Sequence, residues 1–238
     1  MHPPLKAKNL TKQQESKICL SCGECCKRYW ITVLPEEAKK VVRLKGMQLR
    51  EFLENDCILN VKLYRKTTPG VLTYPTAFFP KRIYELLKKE LGLVPQSFFV
   101  VPQVVLKREE KIVFNFLNKK SKKEMRSACV FLKPENVCGI YEARPEPCKL
   151  FPFIAMPDFR EQYPFCLLYL KSSKDYSIES RIYYKKVQHY FKKVHESGFL
   201  GLWRHPPLTG LIFLGEKQIG KITLRELMEM TPLKDERK

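Results

Sequence analysis

Cys19-Leu20-Ser21-Cys22-Gly23-Glu24-Cys25-Cys26 is the stretch around which this chain is organised. It places four of the nine cysteines within eight residues, in the pattern C-x-x-C-x-x-C-C. Two residues between cysteines let both sulfurs turn toward one ion, while the backbone N–H groups between them point at the sulfurs. Gly23 allows the tight or left-handed backbone that such a loop needs. The stretch therefore predicts a metal or iron–sulfur site.

Four further cysteines return later in the chain and complete the candidate ligand set. The triple C-x-x-C register is closer to a ferredoxin-type loop than to a zinc pair, with a fourth ligand supplied from elsewhere. Cys148, next to Pro147, is a candidate for that fourth position. The predicted metal ligands are Cys19, Cys22, Cys25, Cys26, Cys129, Cys138, Cys148 and Cys166.

The Cys25-Cys26 doublet constrains how these ligands are divided. Neighbouring side chains diverge by about 100° on a helix and about 180° on a strand, so two neighbours rarely reach one ion. We therefore expect one of the two to serve a second site or to face away. Two four-thiolate sites, or one site with a redox-active remainder, both stay open.

Other residues near or outside the cysteine blocks are not predicted to be metal ligands. Cys57 stands alone in an apolar neighbourhood, which is typical of a small core residue. The four histidines do not complete the cysteine pattern, and His189 and His195 are expected at the surface. Four basic residues beside predicted ligands are expected to offset the negative thiolates: Lys27, Arg28, Arg144 and Lys149.

Length and composition indicate a globular protein. The chain has 238 residues, of which 44% are hydrophobic and 12% aromatic, enough for a core without disulfide staples. We expect a single domain over 1–238, with a cysteine-cluster metal-binding region at 19–166 and a C-terminal extension at 177–238. The polar N-terminus lacks a signal peptide and no apolar run is long enough for a membrane span, so we expect a cytoplasmic protein. An odd number of cysteines in a reducing compartment also argues against a disulfide framework.

The charge balance is strongly basic. Forty-four Lys and Arg face 25 Asp and Glu, a formal net charge of +19. Such a surface can bind nucleic acid or an acidic protein partner. Because the lysines are spread along the whole chain, an ordinary solvated surface is favoured over a dedicated binding patch.

Local patterns predict short helices with few strands. Helices are expected from Pro35 to Gly46 and over 48–54, 81–91 and 177–197, with a last one starting near Thr223. The longest of these has its predicted apolar side at Ile178, Ile182, Val187, Tyr190, Phe191 and Val194.

The predicted strands are 29–33, 211–214 and a hairpin of 98–107 with 111–117, turning at 108–110. We expect a loose basic lead-in at 1–17, irregular chain at 67–80, a charged loop at 118–126 and metal-wrapping turns over 128–166. The predicted fold class is α+β: short helices and a β-hairpin around a loop-rich cysteine core, with a C-terminal helical extension.

The combined cysteine motif resembles a known family. Cys19 to Cys26, with Cys129-Val-Phe-Leu, Cys138-Gly-Ile-Tyr, Arg144-Pro145 and Cys148-Lys-Leu-Phe-Pro, is similar to the YkgJ-type cysteine-cluster family. The resemblance extends from Cys19 to about Cys166 and implies zinc or iron chelation. Lys149 stands where the family often has Arg, which keeps the charge but not bidentate hydrogen bonding. A similar cluster in flagellin lysine methylases suggests redox or methyl-transfer chemistry by analogy.

Three functions stay open at this point. The first is an iron–sulfur or zinc protein with the eight cysteines as ligands, with iron–sulfur favoured by the triple register. The second is a structural zinc protein whose basic surface binds RNA or an acidic partner. The third is metal storage or delivery. The chain has no GxGxxG, P-loop, HExxH or GxSxG motif, so the sequence does not decide whether the protein is an enzyme.

Overall fold

The computed structural model of the protein divides the chain into two compact units, which we name by their contents. The cysteine unit comprises Met1–Gln48 and Leu106–Val194, and the sheet unit comprises Leu49–Val105 and His195–Lys238. All eight predicted ligands fall in the cysteine unit, and Cys57 falls in the sheet unit. The structure describes residues 11–66, 78–114, 123–151, 164–168, 177–196, 203 and 205–232.

The described chain contains both helices and strands. The helices are α1 (Lys12–Cys22), α2 (Pro35–Lys45), α3 (Leu49–Asn55), α4 (Lys81–Glu85), α5 (Glu146–Leu150), α6 (Ser177–Glu196) and α7 (Leu224–Met228). The strands are β1 (Cys57–Arg65), β2 (Phe78–Pro80), β3 (Phe98–Leu106), β4 (Arg108–Phe114), β5 (Lys123–Cys129), β6 (Thr209–Leu214), β7 (Lys217–Thr223) and β8 (Met230–Pro232).

The sheet unit is built on a four-stranded sheet in the order β3-β1-β6-β7. β1 and β6 run parallel, and β6 and β7 are antiparallel. Gly210 of β6 lies so close to β1 that a Cβ there would be 2.7 Å from the Leu59 Cβ, which excludes any side chain. α3 contacts β1 and α4 contacts α7. Phe52, Leu59, Val61 and Ile212 are fully buried, so this unit has a core of its own.

The cysteine unit combines helices with an antiparallel β4–β5 pair. The pairing runs from Arg108 opposite Cys129 to Phe114 opposite Lys123, so β5 delivers Cys129 to the start of β4. In α2, Ala38 and Val41 face the interior, and the helix ends at Gly46 with φ +64°. Gly46 adopts the left-handed conformation that commonly terminates a helix.

The predicted α+β class is confirmed, as are several elements. α2, α3, α6 and α7 lie where apolar periodicity and capping residues predicted them. The predicted 81–91 helix begins as α4 and continues as a π-turn over Leu86–Glu90. The predicted 211–214 strand is the greater part of β6, and Cys57 is a buried core residue in β1.

The predicted 98–107/111–117 hairpin is wrong. β3 joins the sheet with β1, and β4 pairs with β5 instead. The supposed turn at 108–110 is the beginning of β4, because it lacks the Gly or Asn that a tight hairpin turn requires. The charged loop predicted at 118–126 is corrected from Lys123 onward, where β5 begins, and its part at 118–122 lies outside the described residues. Lys123 and Arg126 therefore belong to a strand rather than to a turn.

Three local predictions are corrected as well. The lead-in at 1–17 contains the start of α1, where Thr11 and Gln14 form a capping box. The predicted 29–33 strand is extended chain outside any strand, with a bridge only at Thr32. Ile182, assigned to the apolar side of α6, is 59% exposed, whereas Val187 and Tyr190 are buried.

Some predictions lie outside the described residues. They concern 1–10, most of the irregular 67–80 stretch and the side chains of Ile178, Phe191 and Val194. In the described part of 128–166, short turns and the five-residue α5 stand where metal-wrapping turns were expected. No helix in the described part of the chain combines the length and apolar character needed to cross a bilayer.

Candidate metal centre

The N-terminal cysteine block is the end of a helix followed by a tight turn. α1 carries Cys19 and Cys22 one turn apart and stops at Gly23, whose φ is +65°. The backbone then winds back, because the Lys27 N–H donates to the Gly23 carbonyl (3.1 Å) and the Tyr29 N–H to the Cys25 carbonyl (3.0 Å). Helix and turn together present all four thiols of the block within a short length of chain.

The second cysteine block is fixed to the first by backbone hydrogen bonding. The Cys129 N–H donates to the Cys26 carbonyl at 2.9 Å. Beyond Cys129 the chain forms a compact loop in which Leu132 and Cys138 pair in an isolated antiparallel β-bridge. Cys138 therefore returns beside the end of β5. Cys148 follows in α5. Ordinary backbone pairing thus joins the doublet to the later cysteines.

The Arg108 side chain joins the turn after the first cysteine block to the β4–β5 pair by hydrogen bonds. Its guanidinium donates to the carbonyls of Lys27 (2.7 Å), Tyr29 (2.7 Å) and Cys26 (3.3 Å), and to the Ser127 carbonyl across the β4–β5 pair. Five fixed N–H donors suit a guanidinium to such a cluster of carbonyls. Sequence analysis missed this role, because Arg108 was assigned to an exposed turn.

Cys166 is held near the first block by aromatic packing. The rings of Tyr29, Phe151 and Phe165 have centroids 6.0 to 6.4 Å apart. The Arg28 guanidinium lies 4.2 Å from the Phe165 ring centroid. Aromatic and cation–π contacts of this kind stabilise the approach of segments far apart in sequence. Cys166, next to Phe165, is buried by the same packing.

Electrostatic interactions join the eight thiols into one group with Cys25 at its centre. The charge of Cys25 acts on the pKa values of Cys19, Cys22, Cys26, Cys129, Cys138 and Cys148. Cys166 joins the group through Cys19. The structure therefore brings all the sequence-predicted ligands into one region of the cysteine unit.

The adjacent thiols of Cys25 and Cys26 hydrogen-bond to each other. This bond is the main cause that lowers the pKa of Cys25 and raises that of Cys26 well above its usual range, so Cys26 donates and Cys25 accepts. Backbone N–H groups further stabilise the Cys25 thiolate. This hydrogen bond disagrees with the alternative in which one thiol of the doublet faces away, while a second site for one of them stays a prediction.

The donors suit a metal in their chemistry. Backbone N–H groups point at several sulfurs: Glu24 and Leu167 donate to Cys22, Phe131 to Cys129 and Ile140 to Cys138. Thiolates supported by backbone N–H groups are the usual ligands of zinc and of iron–sulfur clusters. Within the described residues, however, no three His, Cys, Asp or Glu side chains form a group that could hold an ion as they stand. The thiols lie in one region, but no three of those described are placed to bind one ion.

Of the four basic residues predicted to offset the thiolates, Arg144 acts on them directly. Arg144 lowers the pKa values of Cys19, Cys25, Cys138 and Cys148, so its charge favours their thiolate forms. Lys27 is instead engaged in a buried ion pair, with its Nζ 2.7 Å from Glu24 Oε1. Lys149 is exposed on α5, and Arg28 stacks on an aromatic ring.

Gly23 supports a direct stability test of this turn. A Cβ at Gly23 would lie 3.0 Å from Leu132 Cδ1 and 3.1 Å from Asn136 Cβ, whereas one at Gly46 would meet nothing within 4 Å. Both glycines are left-handed, so each alanine costs about 1 kcal/mol of backbone strain. We expect Gly23→Ala to cost roughly 1 to 2 kcal/mol more than Gly46→Ala, because it also crowds the loop after Cys129. Urea unfolding measures the difference, and equal losses would contradict the close packing.

The metal-free protein is expected to lose stability at alkaline pH. Burial raises the pKa of Cys19 to about 12, of Cys22 to about 11 and of Cys129 to about 12, from 9.0. A raised thiol pKa favours folding below pH 9 and loses this contribution between pH 9 and the folded-state pKa, by roughly 1 kcal/mol at pH 10 for Cys129. Urea unfolding of reduced, chelator-treated protein at pH 7.5 and pH 10 checks this, with metal-loaded protein as the control. A pH-independent unfolding midpoint would contradict it.

The remaining candidate residues do not join the thiol group. Cys57 is buried in the sheet unit. His189 and His205 are exposed, as expected for His189. His2 and the side chain of His195 lie outside the described residues.

Comparison with known families agrees with this chemistry. The model of the CxxCxxCC family, described as "Putative zinc- or iron-chelating domain", matches residues 102–167. That range contains Cys129, Cys138, Cys148 and Cys166, whereas the block at 19–26 lies outside it. Among curated proteins and among solved structures, none matches the chain. Residues 102–167 are thus similar to the CxxCxxCC family, and this similarity supports metal binding by the cysteine unit.

Proposed function

We propose that the protein is a cytoplasmic iron–sulfur protein in which the eight cysteines of the cysteine unit are the ligands. The observation that carries the proposal is the electrostatic interaction between the thiols of the two cysteine blocks, in which Cys25 takes part most often. The triple C-x-x-C register and the N–H groups donated to sulfurs favour an iron–sulfur cluster over a plain zinc site.

The protein's own residues would set the properties of such a site. An iron–sulfur cluster, when bound, supplies one-electron transfer. Arg144 would offset the thiolate charge, and the aromatic rings around Phe165 would limit access of water to the Cys166 side. Redox transfer, alone or in methyl-transfer chemistry, is the activity that these features suit.

Anaerobic purification with elemental analysis and a visible absorption spectrum tests the proposal. We expect a brown protein with about four iron and four sulfide per cluster. Reduction by dithionite should bleach its visible absorption. A colourless protein that holds one or two zinc ions per chain would overturn it.

A second candidate is a structural zinc protein whose basic surface binds RNA or an acidic protein. The formal net charge of +19 favours it. It predicts a fold that survives oxygen and an RNA affinity that falls steeply with salt concentration. Binding that is absent or independent of salt would exclude it.

A further inference from the structure

A concave cleft lies on the cysteine unit, separate from the thiols themselves. It encloses about 450 Å³ and is bordered by α2, α5 and α6. Leu34 and Tyr190 line it, and both belong to a buried apolar cluster with Leu150 and Val187. A cavity of this size suits a small molecule.

The side chains around the cleft are predominantly cationic. Six Lys and Arg side chains and three carboxylates line the cleft, which gives the lining a formal net charge of +3. Several cations come from one flank of α6, where Lys186 and Lys193 recur at helical spacing beside the buried stripe of Val187 and Tyr190. The cations are Lys40, Arg144, Lys149, Lys185, Lys186 and Lys193.

Two of the carboxylates already have partners within the fold. Glu37 accepts the backbone N–H of Leu34 at 2.7 Å and that of Glu146 at 2.5 Å, so it ties the start of α2 to the start of α5. Glu36 lies 3.5 Å from Lys193 at the exposed edge. The carboxylate of Glu37 therefore organises the cleft, and the field inside it is dominated by the cations.

We propose that this cleft binds a small polyanion, a molecule with two or more phosphate or carboxylate groups. The proposal goes beyond metal binding and does not depend on which metal the cysteines hold. Lysine ammonium groups bind phosphates and carboxylates as point charges, and converging cations in a concave site concentrate anions. Because Arg144 both lines the cleft and acts on the charges of the thiols, the bound anion would lie beside the proposed ligands.

Calorimetric titration of the metal-loaded, full-length protein with two probes tests the proposal. 3-Phosphoglycerate carries a phosphate, and tricarballylate carries carboxylates alone. We expect saturable one-to-one binding of at least one probe at low salt concentration. Binding of both would indicate shared anion recognition, and binding of one would identify the preferred group.

Charge-matched double variants on α6 locate the binding. Lys186→Gln with Lys193→Gln removes two charges from the cleft, and Arg181→Gln with Lys192→Gln removes two exposed charges outside it. We expect the first pair to weaken binding by about tenfold or more and the second by less than about twofold. Equal weakening by both pairs, or no binding of either probe at millimolar concentration, would overturn the proposal. Iron and zinc content measured on the same samples separates this failure from loss of the metal.

Discussion

Replacing Cys25 by alanine is expected to remove nearly all bound metal from the purified protein. The charge of Cys25 acts on six of the other thiols, more than that of any other cysteine, and backbone N–H groups favour its thiolate. Since a thiolate is the ligand form of cysteine, loss of the central one should open the site. We expect metal per chain to fall to about a tenth or less of that in the unaltered protein. Elemental analysis after anaerobic purification measures it.

Cys57→Ala is the matched control for this experiment. It deletes the same thiol from a buried position, but in β1 of the sheet unit. We expect Cys57→Ala to keep its metal and to lose about 1 kcal/mol of stability from the small cavity. Circular dichroism on both variants shows whether each is folded. If Cys25→Ala retained its metal, or if Cys57→Ala lost as much, the assignment of Cys25 to the site would be wrong.

A third substitution examines the outer part of the thiol group. Cys166 interacts with the other thiols through Cys19 and is positioned by the packing of Phe165. We expect Cys166→Ala to reduce metal content less than Cys25→Ala does. This order of effects follows from position within the group, and neither cysteine spacing nor composition predicts it.

The features that sequence predicted well depend on neighbouring residues. α2 begins at Pro35 and ends at Gly46, and both signals are local backbone preferences. Cysteine spacing likewise indicated a compact block at 19–26, because two-residue separations are short enough to fix local geometry on their own. The capping box of Thr11 and Gln14 was an available local signal for α1 that the basic character of the lead-in obscured.

The features that sequence did not predict depend on distant partners. β4 pairs with β5 rather than with the adjacent β3, and only the tertiary structure decides between two such partners. Arg108 donates hydrogen bonds to carbonyls about 80 positions earlier in the chain, and its polar character alone does not predict these partners. The approach of Phe165 to Tyr29 is of the same kind. Such contacts arise from packing, which residue periodicity does not encode.

Replacing Glu24 by glutamine is expected to destabilise the cysteine unit strongly. The Lys27 side chain has no exposed surface, the Glu24 side chain is 4% exposed, and Nζ and Oε1 are 2.7 Å apart. Removing one charge of a buried ion pair is strongly destabilising, at a cost of about 3 to 5 kcal/mol. Arg28, 3.3 Å from Glu24 Oε2, loses this ion pair as well. We expect the urea midpoint of the cysteine unit to fall accordingly, with Trp30 fluorescence as the probe in a Trp203→Phe background.

Glu54→Gln provides the control that separates burial from ion pairing as such. Glu54 and Arg50 are also 2.7 Å apart, but their side chains are 53% and 80% exposed. Exposed pairs are weakened by water and salt, so this variant should leave the unfolding midpoint of the sheet unit unchanged. Trp203, which lies in that unit, is the fluorescence probe for this control in a Trp30→Phe background. Adding Lys27→Met to Glu24→Gln should recover part of the lost stability, because it removes the buried charge that Glu24 balances. If Glu24→Gln cost no more than Glu54→Gln, the buried pair would not be what holds the turn between Gly23 and Tyr29.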